Sequence, residues 1–196
     1  RSFHLAHHRY TNDPHRDPEL AAPRPATRWQ YVWYLSGIPD LAGRVTKLFS
    51  TAAFETTDDF VPSSAKHTVK RNARLQVLLY LVAIAASVGF GSWVLLLVWL
   101  LPMLMAGPFL RAYLLAEHAG CPDHDSMFVN TRTVFTNPLV RFVAWNMPYH
   151  AEHHAFPAVP FHKLAAFHEH TRAHLAATSP GYVRFNASYL NSLRNH

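Results

Sequence analysis

The sequence predicts an all-α integral membrane protein, a transmembrane helical hairpin bearing a histidine-rich cap. Three observations predict it. Residues 75–115 form a 41-residue stretch in which Arg111 is the only charged side chain. Two segments repeat one pattern, His4-x-x-His7-His8 and His150-x-x-His153-His154. The chain holds 15 histidines against 12 acidic residues, although only 15% of its residues are Asp, Glu, Lys or Arg.

A bilayer core of about 30 Å takes roughly 20 helical residues, so the apolar block is long enough for two crossings and too long for one. Gly89 and Gly91 permit a tight turn at its centre, and Trp93 suits a membrane interface. The spans are placed near 75–91 and 93–115. Lys66, Lys70, Arg71 and Arg74 crowd the start of the first span while the turn carries no charge, so the positive-inside rule puts both flanks, 1–74 and 116–196, in the cytoplasm. Arg111 is expected to snorkel to the interface, and Gly107-Pro108 to kink the second span. Residues 21–28, with two prolines, read as a connector. The aromatic segment 29–35 is too short to span and is placed in the head-group layer. A second apolar run covers 139–147. A soluble tail starts at Phe161, with a helix near 162–177 whose His168, His170 and His174 are read as solvated.

At 196 residues and 49% apolar, the chain fits a single domain, 1–196, with a substantial core. One cysteine, Cys121, excludes an intramolecular disulfide framework and any multi-cysteine zinc or iron–sulfur site. The net charge of +6 suits acidic partners such as anionic lipid head groups. The basic residues flank apolar spans instead of forming a stripe with stacking aromatics, which argues against nucleic acid.

On a helix, residues three and four apart share a face, so each triplet aims three imidazoles at a common point. Neutral imidazole binds iron, zinc, copper or nickel well. Two identical triplets on one side of the membrane therefore point to a metal site formed by His4, His7, His8, His150, His153 and His154. His118, in Glu117-His118-Ala119-Gly120, reaches the same aqueous boundary. Seven histidines are too many for one four-coordinate zinc and too few for two fully occupied octahedral ions, so a dinuclear centre with absent ligands is expected. Asp13, Asp17, Glu19 and Glu152 could accept the second N–H of a ligating imidazole or stand as solvated charges. Asn146, one turn before His150, could hold a metal-bound water, orient a ligand or cap the helix.

The segments Phe3-His4-Leu5-Ala6-His7-His8-Arg9-Tyr10-Thr11-Asn12-Asp13-Pro14 and Asn146-Met147-Pro148-Tyr149-His150-Ala151-Glu152-His153-His154 resemble the second and third histidine boxes of the membrane fatty acid desaturase superfamily. The intervening hairpin and the isolated His118 resemble that family's arrangement over nearly the whole chain. The resemblance implies a cytoplasmic di-iron cap, with two Fe ions held by His4, His7, His8, His118, His150, His153 and His154. It implies dioxygen as co-substrate and removal of two hydrogens from a fatty acid or acyl-lipid chain. The family's first box, an HxxxH motif, is absent, so the chain reads as a fragment cut just before its second box and expected to be inactive alone. A lipid hydroxylase or a carotenoid ketolase or hydroxylase of the same superfamily would share all these ligands. A non-enzymatic membrane metal-binding protein is a further alternative. The chain has no flavin or nicotinamide fingerprint and no cysteine cluster, so electrons are expected from a ferredoxin or small cytochrome. Lys66, Lys70, Arg71 and Lys163 could dock such a carrier or bind anionic lipid.

Overall fold

A computed structural model describes residues 1–194. The chain is mostly helical and forms two compact units, one of Val32–Arg111 with Ser2, the other of Arg1, Phe3–Tyr31 and the chain from Ala112 onward.

The Val32–Arg111 unit is built on two long apolar helical segments. The first is α4, Ser63–Gly89. The second begins with one π-helical turn, Leu96–Leu100, and continues as α5, Leu101–His118, which runs beyond this unit. Both are long and apolar enough to cross a membrane, and almost nothing of either apolar window is buried within the protein. Leu79, Val82, Val98, Met105 and Phe109 all face outward, a surface that lipid rather than water would cover. Helix α4 starts well before residue 75, because its charged first turns are good helix formers; hydropathy marks where lipid begins, not where a helix does. Between the segments, Gly91 adopts φ +59° and Ser92 donates its N–H to the Ser87 carbonyl, closing a tight turn. The Tyr80 and Trp99 rings meet at 5.0 Å.

Ahead of α4 lie α2, Arg28–Leu35, and the amphipathic α3, Ile38–Ala53. The aromatic segment expected at 29–35 is thus helical, while α3 is an element that the sequence reading lacked. Helix α3 packs along α4, where Arg74 Nε donates to the Ala52 carbonyl at 2.8 Å. Gly37, at φ +70°, turns the chain from α2 into α3. A Cβ there would stand 3.4 Å from Gly107 Cα, so the missing side chains let two backbones approach. Arg111 does not simply reach for an interface. Its guanidinium bonds Asp40 at 3.3 Å and covers the Tyr34 ring at 4.0 Å, so its charge is met by protein. Pro108 lies inside α5.

The other unit assembles short elements around the end of α5. These are α1, Ser2–Tyr10; α6, Met127–Asn130; β1, Thr133–Val134; α7, Pro138–Val143; α8, His150–Ala155; α9, Leu164–Thr171; β2, Thr178–Ser179; and α10, Tyr182–Ser192. Strands β1 and β2 pair in parallel, Thr133 opposite Thr178. The core is small and unusually polar: Leu115, Ala116, Ala151 and Leu164 share it with buried Thr131, Thr133, Glu152 and five histidines. The helix expected over 162–177 is present as helical turns from Phe161 to His174: one turn at Phe161–Lys163, α9 and a last turn at Arg172–His174, after which the chain returns as β2 by Thr178.

Candidate metal centre

Helix α1 places His4, His7 and His8 on one face, and the chain then folds back on itself. Thr11 ends the helix, its Oγ1 donating to the His7 carbonyl at 2.7 Å. Asn12 follows at φ +67°, a conformation that asparagine tolerates better than most residues. Its amide donates to the Asn130 carbonyl at 2.6 Å. This turn brings Asp17 beneath the helix, where its fully buried carboxylate accepts from His7 Nδ1 at 2.9 Å, from the Asn12 N–H at 2.8 Å and from the Glu19 N–H at 2.9 Å. Helix α8 presents His150, His153 and His154, and α5 ends on His118.

The seven histidines form two clusters. His7, His118, His150 and His154 are all buried, with one ligating nitrogen each inside 4.8 Å of the others. His118 Nε2 stands 3.2 Å from His7 Nε2 and 3.1 Å from His150 Nε2. His4, His8 and His153 form the second, more exposed cluster, in which His4 Nε2 and His8 Nε2 are 3.1 Å apart. The rings of His8 and His154 stack at 4.0 Å between the clusters.

The outer nitrogens reveal what the inner ones offer. Asp17 can only accept from His7 Nδ1, so in the neutral imidazole the lone pair sits on His7 Nε2. The single hydroxyl proton of Thr11 is given to the His7 carbonyl, so at 3.2 Å it accepts from His154 Nδ1, and His154 Nε2 also carries a lone pair. Glu117 Oε1 lies 3.3 Å from His150 Nδ1 without a hydrogen bond between them. Lone pairs thus converge on a buried point, and His154 Nε2 has no hydrogen-bond partner. Unmet, such an arrangement is costly; a cation satisfies it. The imidazoles of His4, His8, His150, His153 and His154 are also biased toward the neutral form, the one that binds metal. Burial first and neighbouring imidazoles second push His150 and His154 well down, and push His8 down to about 3. His4 and His153 are lowered for the same reasons. The residues present therefore fit a metal ion.

The supporting residues sort differently from expectation. Asp17 contacts His7, and Glu19 Oε2 approaches His7 Nε2 at 3.6 Å. Asp13 is taken by Arg16 and by the His15 N–H. Asn146, in a left-handed turn at φ +57°, gives its amide to the Phe161 carbonyl at 3.1 Å. Glu152 bonds no histidine of the clusters but His168 and Thr133, so His168 is buried and paired, contrary to its solvated reading. Thr11 and Glu117 were missed. The signal for Glu117 was its place beside His118: neighbours in sequence point to different sides of a helix, so its partner had to come from another element.

A family model described as fatty acid desaturase matches residues 1–186. The chain belongs to that family. Among curated proteins, this family member is 28% identical over 199 residues to the dihydrorhizobitoxine desaturase of Bradyrhizobium elkanii, an alignment covering 93% of this chain and 54% of that protein. The chain thus spans about half the length of the curated relative it matches. No solved structure matches it significantly. Family membership makes a desaturase-like, oxidoreductase function the expectation for this histidine centre and associates its two apolar helices with a membrane.

Proposed function

We propose that this chain supplies most of the di-iron centre of an O2-dependent membrane desaturase, which removes two hydrogens from adjacent carbons of a saturated chain. The observation that carries the reading is the pair of histidine clusters, with the lone pairs of the inner one turned toward a common point. His7, His118, His150 and His154 would hold one ion; His4, His8 and His153 would contribute to the other. Bound iron would supply dioxygen activation and the oxidising equivalents for cleaving an unactivated C–H bond. The chain's residues would do the rest. Asp17 and Thr11 keep the Nδ1–H groups of His7 and His154 pointing outward, so no proton competes for the inner nitrogens of these two. Burial of the inner four excludes water from the reacting volume.

The helical segments Ser63–Gly89 and Leu96–His118 are read as a transmembrane hairpin whose basic start, Lys66, Lys70, Arg71 and Arg74, faces the cytoplasm together with the histidine cap. A fatty acid or acyl lipid is the substrate class that such a setting favours, with electrons from a ferredoxin or small cytochrome. The relative's name refers to dihydrorhizobitoxine, so the acyl assignment rests on the family and the membrane setting. The test uses the full-length protein. Reconstitution is expected to load two irons per chain, and O2 uptake should accompany a product lighter by two hydrogens. A product heavier by one oxygen would replace desaturation with hydroxylation; metal uptake without any oxidised product would favour a non-enzymatic metal-binding protein.

A further inference from the structure

The third-box helix α8 is only six residues long, His150–Ala155, and Tyr149 at its start makes no side-chain cap. A helix so short has no stability of its own, so tertiary contacts must fix the direction of its three imidazoles. At 3.6 residues per turn His150, His153 and His154 occupy one side and Glu152 the other. Glu152 is 0% exposed and makes two short bonds on that rear side. Its Oε1 accepts from His168 Nδ1 on α9 at 2.5 Å, and its Oε2 accepts from Thr133 Oγ1 on β1 at 2.5 Å. His168 is itself confined, 4.9 Å from the Tyr149 ring and 5.7 Å from the Phe135 ring. The same strand is joined to the residues leading into the helix, because the Val134 N–H donates to the Pro148 carbonyl at 2.9 Å.

We infer that His168 is a positioning residue for the metal centre: through its Nδ1–H it holds Glu152, and Glu152 sets the rotation of α8 and hence the aim of His150, His153 and His154. Thr133 is the second grip on the same carboxylate. A six-residue helix pinned at one buried point on its back cannot roll without breaking both bonds, and a roll would move all three imidazoles together. The inference rests on the metal-centre reading above and adds to it a residue that touches no metal ligand directly through its own ring nitrogen.

Asparagine decides the matter, because its amide can place an N–H where His168 Nδ1 has one, whereas leucine fills the space and donates nothing. Full-length protein in lipid nanodiscs is titrated with Co2+, whose visible bands report ligand number and geometry. Folding is checked by circular dichroism and gel filtration. H168L is expected to bind Co2+ about tenfold more weakly with altered bands, and H168N to return to wild-type bands with affinity within about threefold. A folded H168L with wild-type bands and affinity overturns the inference, as does a folded H168N as defective as H168L. If H168L does not fold, H168N decides alone: wild-type bands support the inference and altered bands overturn it. Wild-type protein that takes up no Co2+ overturns both this inference and the metal-centre reading. Wild-type uptake beside an indifferent H168L overturns the inference only.

Discussion

The two histidine clusters share helices α1 and α8, with His118 of α5 added to the inner one, yet they are built to different standards. In the inner cluster His7, His150 and His154 each have Nδ1 beside an oxygen of Asp17, Glu117 or Thr11, and the four residues are buried. In the outer cluster His4 is exposed, His8 and His153 are half-buried, and no oxygen bonds the Nδ1 of His8, as none bonds that of His118 or His150 in the inner one. A ligand fixed from behind loses little freedom on binding metal, and one that is not must be ordered at that moment. Two sites with the same ligand type can therefore differ in affinity, exchange rate and exposure to solvent.

The largest expected effect comes from removing the deepest support. D17A would strand three N–H groups, those of His7 Nδ1, Asn12 and Glu19, at a buried position. Stability should fall by about 2–4 kcal/mol, since leaving buried donors unmet costs about 1–3 kcal/mol each and water will recover part. Metal affinity of the inner cluster should fall at least tenfold. Denaturant unfolding and metal titration check the two effects, and D17N should recover part of each. An inner cluster indifferent to D17A would break the comparison. H153A comes next, removing a ligand from the outer cluster alone. It should take stoichiometry down by one metal while the inner ion stays and the unfolding midpoint moves less than in D17A. Chelation of the wild-type protein needs no mutation: metal should leave in two phases, the faster from the outer cluster and missing in H153A.

What the sequence made legible follows from where each signal lies. The spans and triplets were readable because one element carries the whole pattern: an apolar run of two span lengths, or three histidines on one face. Asp17 was recoverable as a candidate because it lies only ten residues from His7. The partners of Glu152, His150 and His154 were not, because each pairing joins separate elements, as between Glu152 and His168 or between Thr11 and His154. Periodicity says which side of a helix a residue occupies but not what faces it. That limit turned His168 into a solvated residue and Glu152 into a partner of its neighbours. Helix α3 opens on Pro39, and proline is at home in a first turn, where its absent N–H has no partner to lose.

The smallest effect is the most specific. Thr11 supports the inner cluster by one hydroxyl, which donates to the His7 carbonyl and accepts from His154 Nδ1. T11V keeps the shape, removes both bonds and leaves His154 free to move its proton to Nε2, the nitrogen meant for metal. The loss should be about 1 kcal/mol in stability, the usual worth of such a bond. Inner-site affinity should fall a fewfold, because a proton on Nε2 must first be displaced. T11S restores the hydroxyl and should match wild type. Nitrogen-15 NMR of metal-free protein labelled at histidine reads the tautomer directly: His154 should shift toward Nε2–H in T11V and stay Nδ1–H in T11S, with His4 and His153 unchanged in both. A His154 tautomer that ignores Thr11 would mean that the inner cluster owes its preorganisation to the carboxylates alone.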